Sequence, residues 1–140
     1  MTPDRLRTTW LALEAFNARD ADEFAQYSDE EIEWYPLIAR TLEGPSFIGH
    51  AGIRVHLARL GAEMPDMRLD VLEMRDMRDR VLWFGRFYGR ATDDLPAVDV
   101  PIAGVWDFRG AKILRICHYF DAKTATEVAG RHEQPAASAV

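Results

Sequence analysis

The chain has 140 residues, of which 48% are apolar, and its 17 Lys and Arg stand against 23 Asp and Glu for a net charge of −6. That is enough to bury the core of a single domain, expected over residues 1–130. Arginines are interspersed with acids rather than gathered in a stripe, no apolar run approaches the roughly 18 residues of a membrane span, and no signal-like apolar segment opens the chain. Nucleic acid and membrane are therefore not expected partners, and the location expected is cytoplasmic.

Thr2-Pro3-Asp4 reads as an N-cap, a proline at the first helical position and an acid in the first turn. Leu6, Trp10 and Leu13 recur at helical spacing, which predicts a helix over residues 3–18. Asp20 then caps a short second helix with Glu23 at the third position, and Phe24 and Tyr27 pack it against the first. Glu31–Tyr35 alternates and is stopped by Pro36, a strand placing Ile32 and Trp34 on one face. After a loop containing Gly44, Pro45 and Gly49, residues 51–60 form a third helix with Ile53, His56, Leu57 and Leu60 on its packed stripe.

From Met67 the period changes, and residues 67–77, 80–91, 97–109 and 112–120 read as four strands with turns at Asp79, Asp93-Asp94 and Arg109-Gly110. Helices first and a meander after them indicate an α+β fold with helices on one face of an antiparallel sheet. In residues 81–90 one face carries Val81, Trp83, Gly85 and Phe87, the other Leu82, Phe84, Arg86 and Tyr88. With helices covering one face only, the second apolar face is expected to meet another copy of the chain, as a homodimer through the outer sheet face. Residues 131–140, with Gln-Pro-Ala-Ala-Ser-Ala, have no packing period and are expected to be disordered.

ILRICHYFD, residues 113–121, places a histidine inside an apolar strand and an aspartate at its end. Leu114, Ile116, His118 and Phe120 form the more apolar face, so His118 should point inward. It is then either a proton relay or a structural histidine bonded to a backbone carbonyl. His56 either meets it across a cavity or packs at the rim, His50 reads as an exposed loop residue, and His132 lies in the tail. Asp121 either assists a histidine or caps the following turn. The lone Cys117 has no partner at disulfide or metal spacing, and no Gly-rich phosphate loop or nucleophile triad appears, so neither metal nor cofactor is expected. Trp10, Trp34, Trp83 and Trp106 are many indoles for this length, and with Gly85 and Gly104 nearby they wall a flat apolar cavity or simply fill a core.

The hairpin LEAFNARDADEF, the strand EIEW with its loop to GHAGIRVHLARL, and the terminal hairpin VWDFRGAKILRICHYFD resemble the SnoaL-like branch of the nuclear transport factor 2-like (NTF2-like) superfamily, over about residues 4–129. The resemblance implies a cone, in which a curved sheet wraps around helices to enclose a pocket, often as a dimer through the sheet's outer face. Ketosteroid isomerases of this fold use an aspartate base and a tyrosine–acid pair; the matching places here are Trp34, Ala12 and Gly104, which argues against that activity. Limonene-epoxide hydrolases place an aspartate near His118 and an inward Arg-x-Asp pair, and neither is evident here. Polyketide cyclases similar to SnoaL use a histidine and an aspartate without metal or cofactor, which implies catalytic parts for His118 and Asp121, with His56 assisting. Trp10, Trp34, Ile53, Trp83 and Phe87 would line the pocket together with Gly104, Trp106, Ile116 and Phe120. The expected ligand is a small apolar, carbonyl-bearing molecule that is isomerised, cyclised or hydrated; the other reading is a ligand-binding or dimeric interaction protein without catalysis.

Overall fold

The computed structural model describes residues 4–35, 47–90, 94 and 96–131. Asp4 is the first N-cap: its carboxylate accepts the Arg7 N–H at 3.0 Å, and helix α1 spans Arg5–Asn17. Thr2 and Pro3, expected to open this helix, lie outside the described residues. The buried stripe of α1 is Thr9, Ala12, Leu13, Ala15 and Phe16, which places Trp10 beyond the edge of the packed face. It is 50% exposed and does not line the interior, contrary to the sequence expectation. Helix α2, Ala21–Gln26, begins as expected with Asp20 accepting the Glu23 N–H at 3.0 Å. The Glu23 carboxylate instead accepts the Tyr27 hydroxyl at 2.6 Å.

Strand β1 is Ser28–Tyr35 and β2 is Phe47–Ile48, followed by α3 at Gly49–Glu63. The loop between β1 and β2, with Pro36, Gly44 and Pro45, falls outside the described residues. The meander follows as β3 (Arg68–Asp76), β4 (Arg80–Gly89), β5 (Val98–Arg109) and β6 (Lys112–Tyr119), and α4 (Ala122–Ala129) ends the described chain. Of the expected turn at Asp93-Asp94, Asp94 lies in a turn and Asp93 is outside the described residues. All six strands form one sheet in the order β2-β1-β6-β5-β4-β3, antiparallel except where β1 lies parallel to β6. This is the expected α+β architecture, a curved, unclosed sheet around the N-terminal helices.

The two faces of β4 divide as the alternation requires: Val81, Trp83 and Phe87 enter the main core, while Leu82 and Phe84 join a second cluster on the outer face. In β6 the pattern is interrupted. Asp107 pairs with Arg115 but Phe108 with Ile113, so Leu114 is the extra residue of a β-bulge. Ile113, not Leu114, therefore shares the inner face with Ile116 and His118.

The outer face is not left bare. Helix α4 lays Ala125, Val128 and Ala129 over Leu82, Ala103, Val105, Cys117 and Tyr119. This corrects the premise that helices cover one face only, and the part beneath α4 needs no second copy to keep it dry. Asp121 caps α4, accepting the Lys123 N–H at 3.0 Å and the Thr124 hydroxyl at 2.6 Å. At the other end the Arg80 guanidinium donates to the carbonyls of Val128, Ala129 and Arg131 at 2.9, 3.2 and 2.6 Å, setting a cation where the helix carbonyls lack partners. The same side chain stands 2.8 Å from Asp107, which lies 3.4 Å from Arg115, itself 3.1 Å from Glu33. Residues 132–140, including His132, lie outside the described residues.

Candidate functional site

Two rows of side chains cross the inner face. In the first, β4–β5–β6 pairing sets Trp83 opposite Gly104 and Gly104 opposite His118. In the second, Val81, Trp106, Ile116 and Trp34 follow one another from β4 to β1. The rows are two residues apart along each strand, the pleat repeat, so their side chains share the face and touch. The His118 ring lies 5.8, 5.5 and 6.1 Å from those of Trp34, Trp83 and Trp106. Phe16 stacks on Trp34 at 5.5 Å, and His56 from α3 packs 4.7 Å from Trp34 and 4.4 Å from Phe47. His118 and His56 thus both contact Trp34, and His56 is packed between Trp34 and Phe47. Ile53 and Ile116 are fully buried beside them.

The hydrogen-bond geometry fixes the form of the imidazole. Trp106 Nε1–H donates to His118 Nε2 at 3.2 Å. An indole N–H can only donate, so Nε2 must accept, and a neutral ring then carries its proton on Nδ1. Burial among the rings, with a lesser contribution from His56, pushes the pKa of His118 from 6.5 down to about 3. Burial, and then the charges of Arg19 and Arg59, push His56 down to about 4. Both are neutral over the physiological range, and a base so weak, with Nε2 already engaged, is poorly suited to abstracting a proton. What His118 offers is a hydrogen-bond donor at Nδ1. Although the surrounding indoles are 0–2% exposed, His118 keeps 8% of its surface accessible.

Several expected members of the site lie elsewhere. Asp121 is exposed and occupied as the α4 cap, outside the aromatic cluster. Phe120 follows the end of β6, is 50% exposed, and touches Phe87 edge-on at 6.1 Å, so it stands at the surface rather than in the wall. Gly104 does not front an open cavity: a Cβ there would overlap Nε1, Cε2 and Cζ2 of Trp83, whose indole fills the space. At Gly85 a Cβ would meet the β3 backbone at Asp70 and Val71, so this glycine serves close strand approach. His50 is not a free loop residue, since its Nε2 lies 3.0 Å from the Ser28 carbonyl oxygen. Cys117 faces outward under α4, where burial foremost raises its thiol to about 12 and removes it as a nucleophile near neutral pH. Among the described residues no three His, Cys, Asp or Glu gather as metal ligands would, and no helix is long and apolar enough to cross a membrane.

Sequence reasoning did not find the Trp106–His118 bond or the buried chain Arg80–Asp107–Arg115–Glu33. Half a signal for the second was present, because an acid inside an apolar strand needs a partner, but the Arg109-Gly110 turn alone sets Asp107 opposite Leu114, and only the bulge brings Arg115 to it.

A family model described as a SnoaL-like domain matches residues 10–116. Among solved structures, TerC co-crystallised with polyporic acid is 23% identical with a TM-score of 0.71, covering 91% of this chain and 98% of that one. An uncharacterised cystatin-fold protein from Novosphingobium aromaticivorans is 24% identical with a TM-score of 0.70, over 85% of this chain and 98% of the other. A protein provisionally assigned as a polyketide cyclase, from Xanthomonas campestris, is 23% identical with a TM-score of 0.65, over 85% and 93%. At these identities the likeness concerns the fold. No curated protein sequence matches.

Proposed function

Because the chain belongs to the SnoaL-like domain family, we propose that it binds a small apolar, carbonyl-bearing molecule against His118 and assists its isomerisation, cyclisation or hydration by hydrogen bonding to the carbonyl oxygen. The observation that carries this reading is the state of His118: neutral, held by Trp106 at Nε2, and so carrying its proton at Nδ1, in a residue that keeps 8% of its surface accessible. A donor preorganised among apolar rings polarises a carbonyl and stabilises negative charge that develops on its oxygen, and such a contact gains strength where water is excluded. His118 therefore acts as an electrophilic donor rather than as the general base, and His56 orients the aromatic wall through Trp34 and Phe47. The polyporic acid of TerC, a ligand carried on a similar fold, is consistent with a ligand of this class.

A second reading, ligand binding without turnover, is favoured by a specific feature: among the described residues the ring contacts of His118 are all to indoles, and the expected carboxylate, Asp121, caps a surface helix. One experiment separates the two. A thermal-shift screen of the purified chain against aromatic polyketides, hydroxyquinones, steroids and terpenoid epoxides identifies a ligand, since binding to the folded state raises the melting temperature. The hit is then incubated with wild type and His118→Gln and followed by chromatography. Turnover reduced about a hundredfold or more in the variant supports the enzyme; binding with no product above background supports the binding protein, and undiminished turnover in the variant sinks the role given to His118.

A further inference from the structure

Three indoles stand beside one imidazole, and of Trp83 and Trp106 only one obtains its lone pair. Trp106 holds His118 Nε2. Trp83, 0% exposed and with its ring 5.5 Å from that of His118, has no acceptor for its Nε1–H among the described residues. The surroundings explain the deficit. Trp83 lies over Gly104, which has no side chain to accept a bond. The backbone carbonyls of β4, β5 and β6 at this level belong to the sheet ladders, and the inward neighbours on β4 are Val81 and Gly85, with Phe87 beyond them. Buried donors are nearly always satisfied, and exceptions in a folded protein tend to mark a place where something else supplies the partner.

We propose that the Trp83 Nε1–H is a specificity-determining contact of this site, reserved for a neutral oxygen acceptor on the ligand, a carbonyl or hydroxyl oxygen carried by a flat, apolar frame. The inference rests on the reading of the His118 site as a ligand pocket and adds a second donor, from a different strand. The acceptor is neutral because the rings around His118 supply no counter-charge, and a carboxylate brought there would lose its water without compensation. A hydrocarbon of the same shape fits the apolar wall but leaves the donor unmet. Trp83 thereby discriminates oxygenated from reduced ligands, a difference that sites built to hydrogen-bond an oxygen make strongly.

The test uses the full chain, 15N-labelled at its indoles, with 1-tetralone and tetralin, which share a skeleton and differ by the carbonyl. The Trp83 N–H resonance, assigned by its absence in Trp83→Phe, is expected to move downfield on saturation with 1-tetralone and to stay in place with tetralin. Trp83→Phe should bind 1-tetralone about tenfold more weakly and tetralin within about twofold of wild type. A Trp83 resonance that ignores bound 1-tetralone, or equal losses of both probes in the variant, overturns the inference while leaving the pocket standing. If wild type takes up neither probe at millimolar concentration, the pocket reading itself fails, and this inference with it.

Discussion

The two faces of the sheet solve the burial of polar groups in opposite ways. On the inner face the imidazole of His118 is buried uncharged, held by one indole and surrounded by others. On the outer face Arg80, Asp107 and Arg115 are buried with their charges, in a chain that ends at Glu33 and in the carbonyls of α4. Burial there even raises the Asp107 pKa despite both arginines, so the ion pairs offset a desolvation penalty rather than add a surplus. A neutral group tolerates a missing partner at modest cost, as the Trp83 indole does on the inner face. A charged network does not, which assigns the outer-face chain to structure.

That contrast can be broken most severely from outside. Asp107→Asn keeps the shape but leaves Arg80 and Arg115 facing each other in a buried site, and unfolding in urea should register a loss of about 3–5 kcal/mol. A loss below about 1 kcal/mol would mean that water reaches the network. The next effect comes from the inner face and from pH. His118 and His56 have folded pKa values of about 3 and about 4, below the ordinary 6.5. The unfolded chain therefore takes up protons that the folded chain refuses. Stability from these residues is complete above pH 6.5 and falls as the pH drops toward their folded values, by about 2 kcal/mol for each imidazole at pH 5. Denaturation curves at pH 7 and pH 5 should show this slope, and His118→Gln should remove its own share.

Smaller changes sharpen the comparison. Gly104→Ala drives a methyl group into the Trp83 indole, and an overpacking loss of about 1–3 kcal/mol is expected in thermal melts, with the Trp83 fluorescence displaced. Asp121→Ala should have the smallest effect, a slight fall in melting temperature from the lost α4 cap and no change in ligand affinity. A large loss of affinity in that variant would return its carboxylate to the site.

Local patterns carried the fold far. The alternation in β4 assigned each of its faces, and Asp20 with Glu23 marked the start of α2. What escaped was set by contacts distant in sequence. Trp10 fits a helical stripe in isolation, but the packed face of α1 is defined by what β3, β4 and the other helices press against, and it centres on Thr9, Ala12, Leu13 and Phe16. The bulge at Leu114 has no local signature, yet it moves the preceding residue to the other face. In the site, the inward direction of His118 was legible from alternation, whereas its tautomer depends on Trp106, a residue of the neighbouring strand. The role of α4 was hidden because three small residues do not look like a cover until an apolar surface lies beneath them.

The parallel pairing of β1 with β6 has a consequence for the order in which the molecule can be made. Trp34 is seated against Ile116, so an N-terminal strand finds its long partner only after nearly the whole chain has been synthesised. The helical hairpin and the β3–β4–β5 ribbon can form as they emerge, through contacts close in sequence, while the centre of the sheet waits on a closure spanning some eighty residues, the slow kind of contact in folding. The aromatic enclosure of His118 draws on strands from both ends of the chain, and it is completed in that last step. A nascent chain on the ribosome therefore carries the imidazole without its complete aromatic surround.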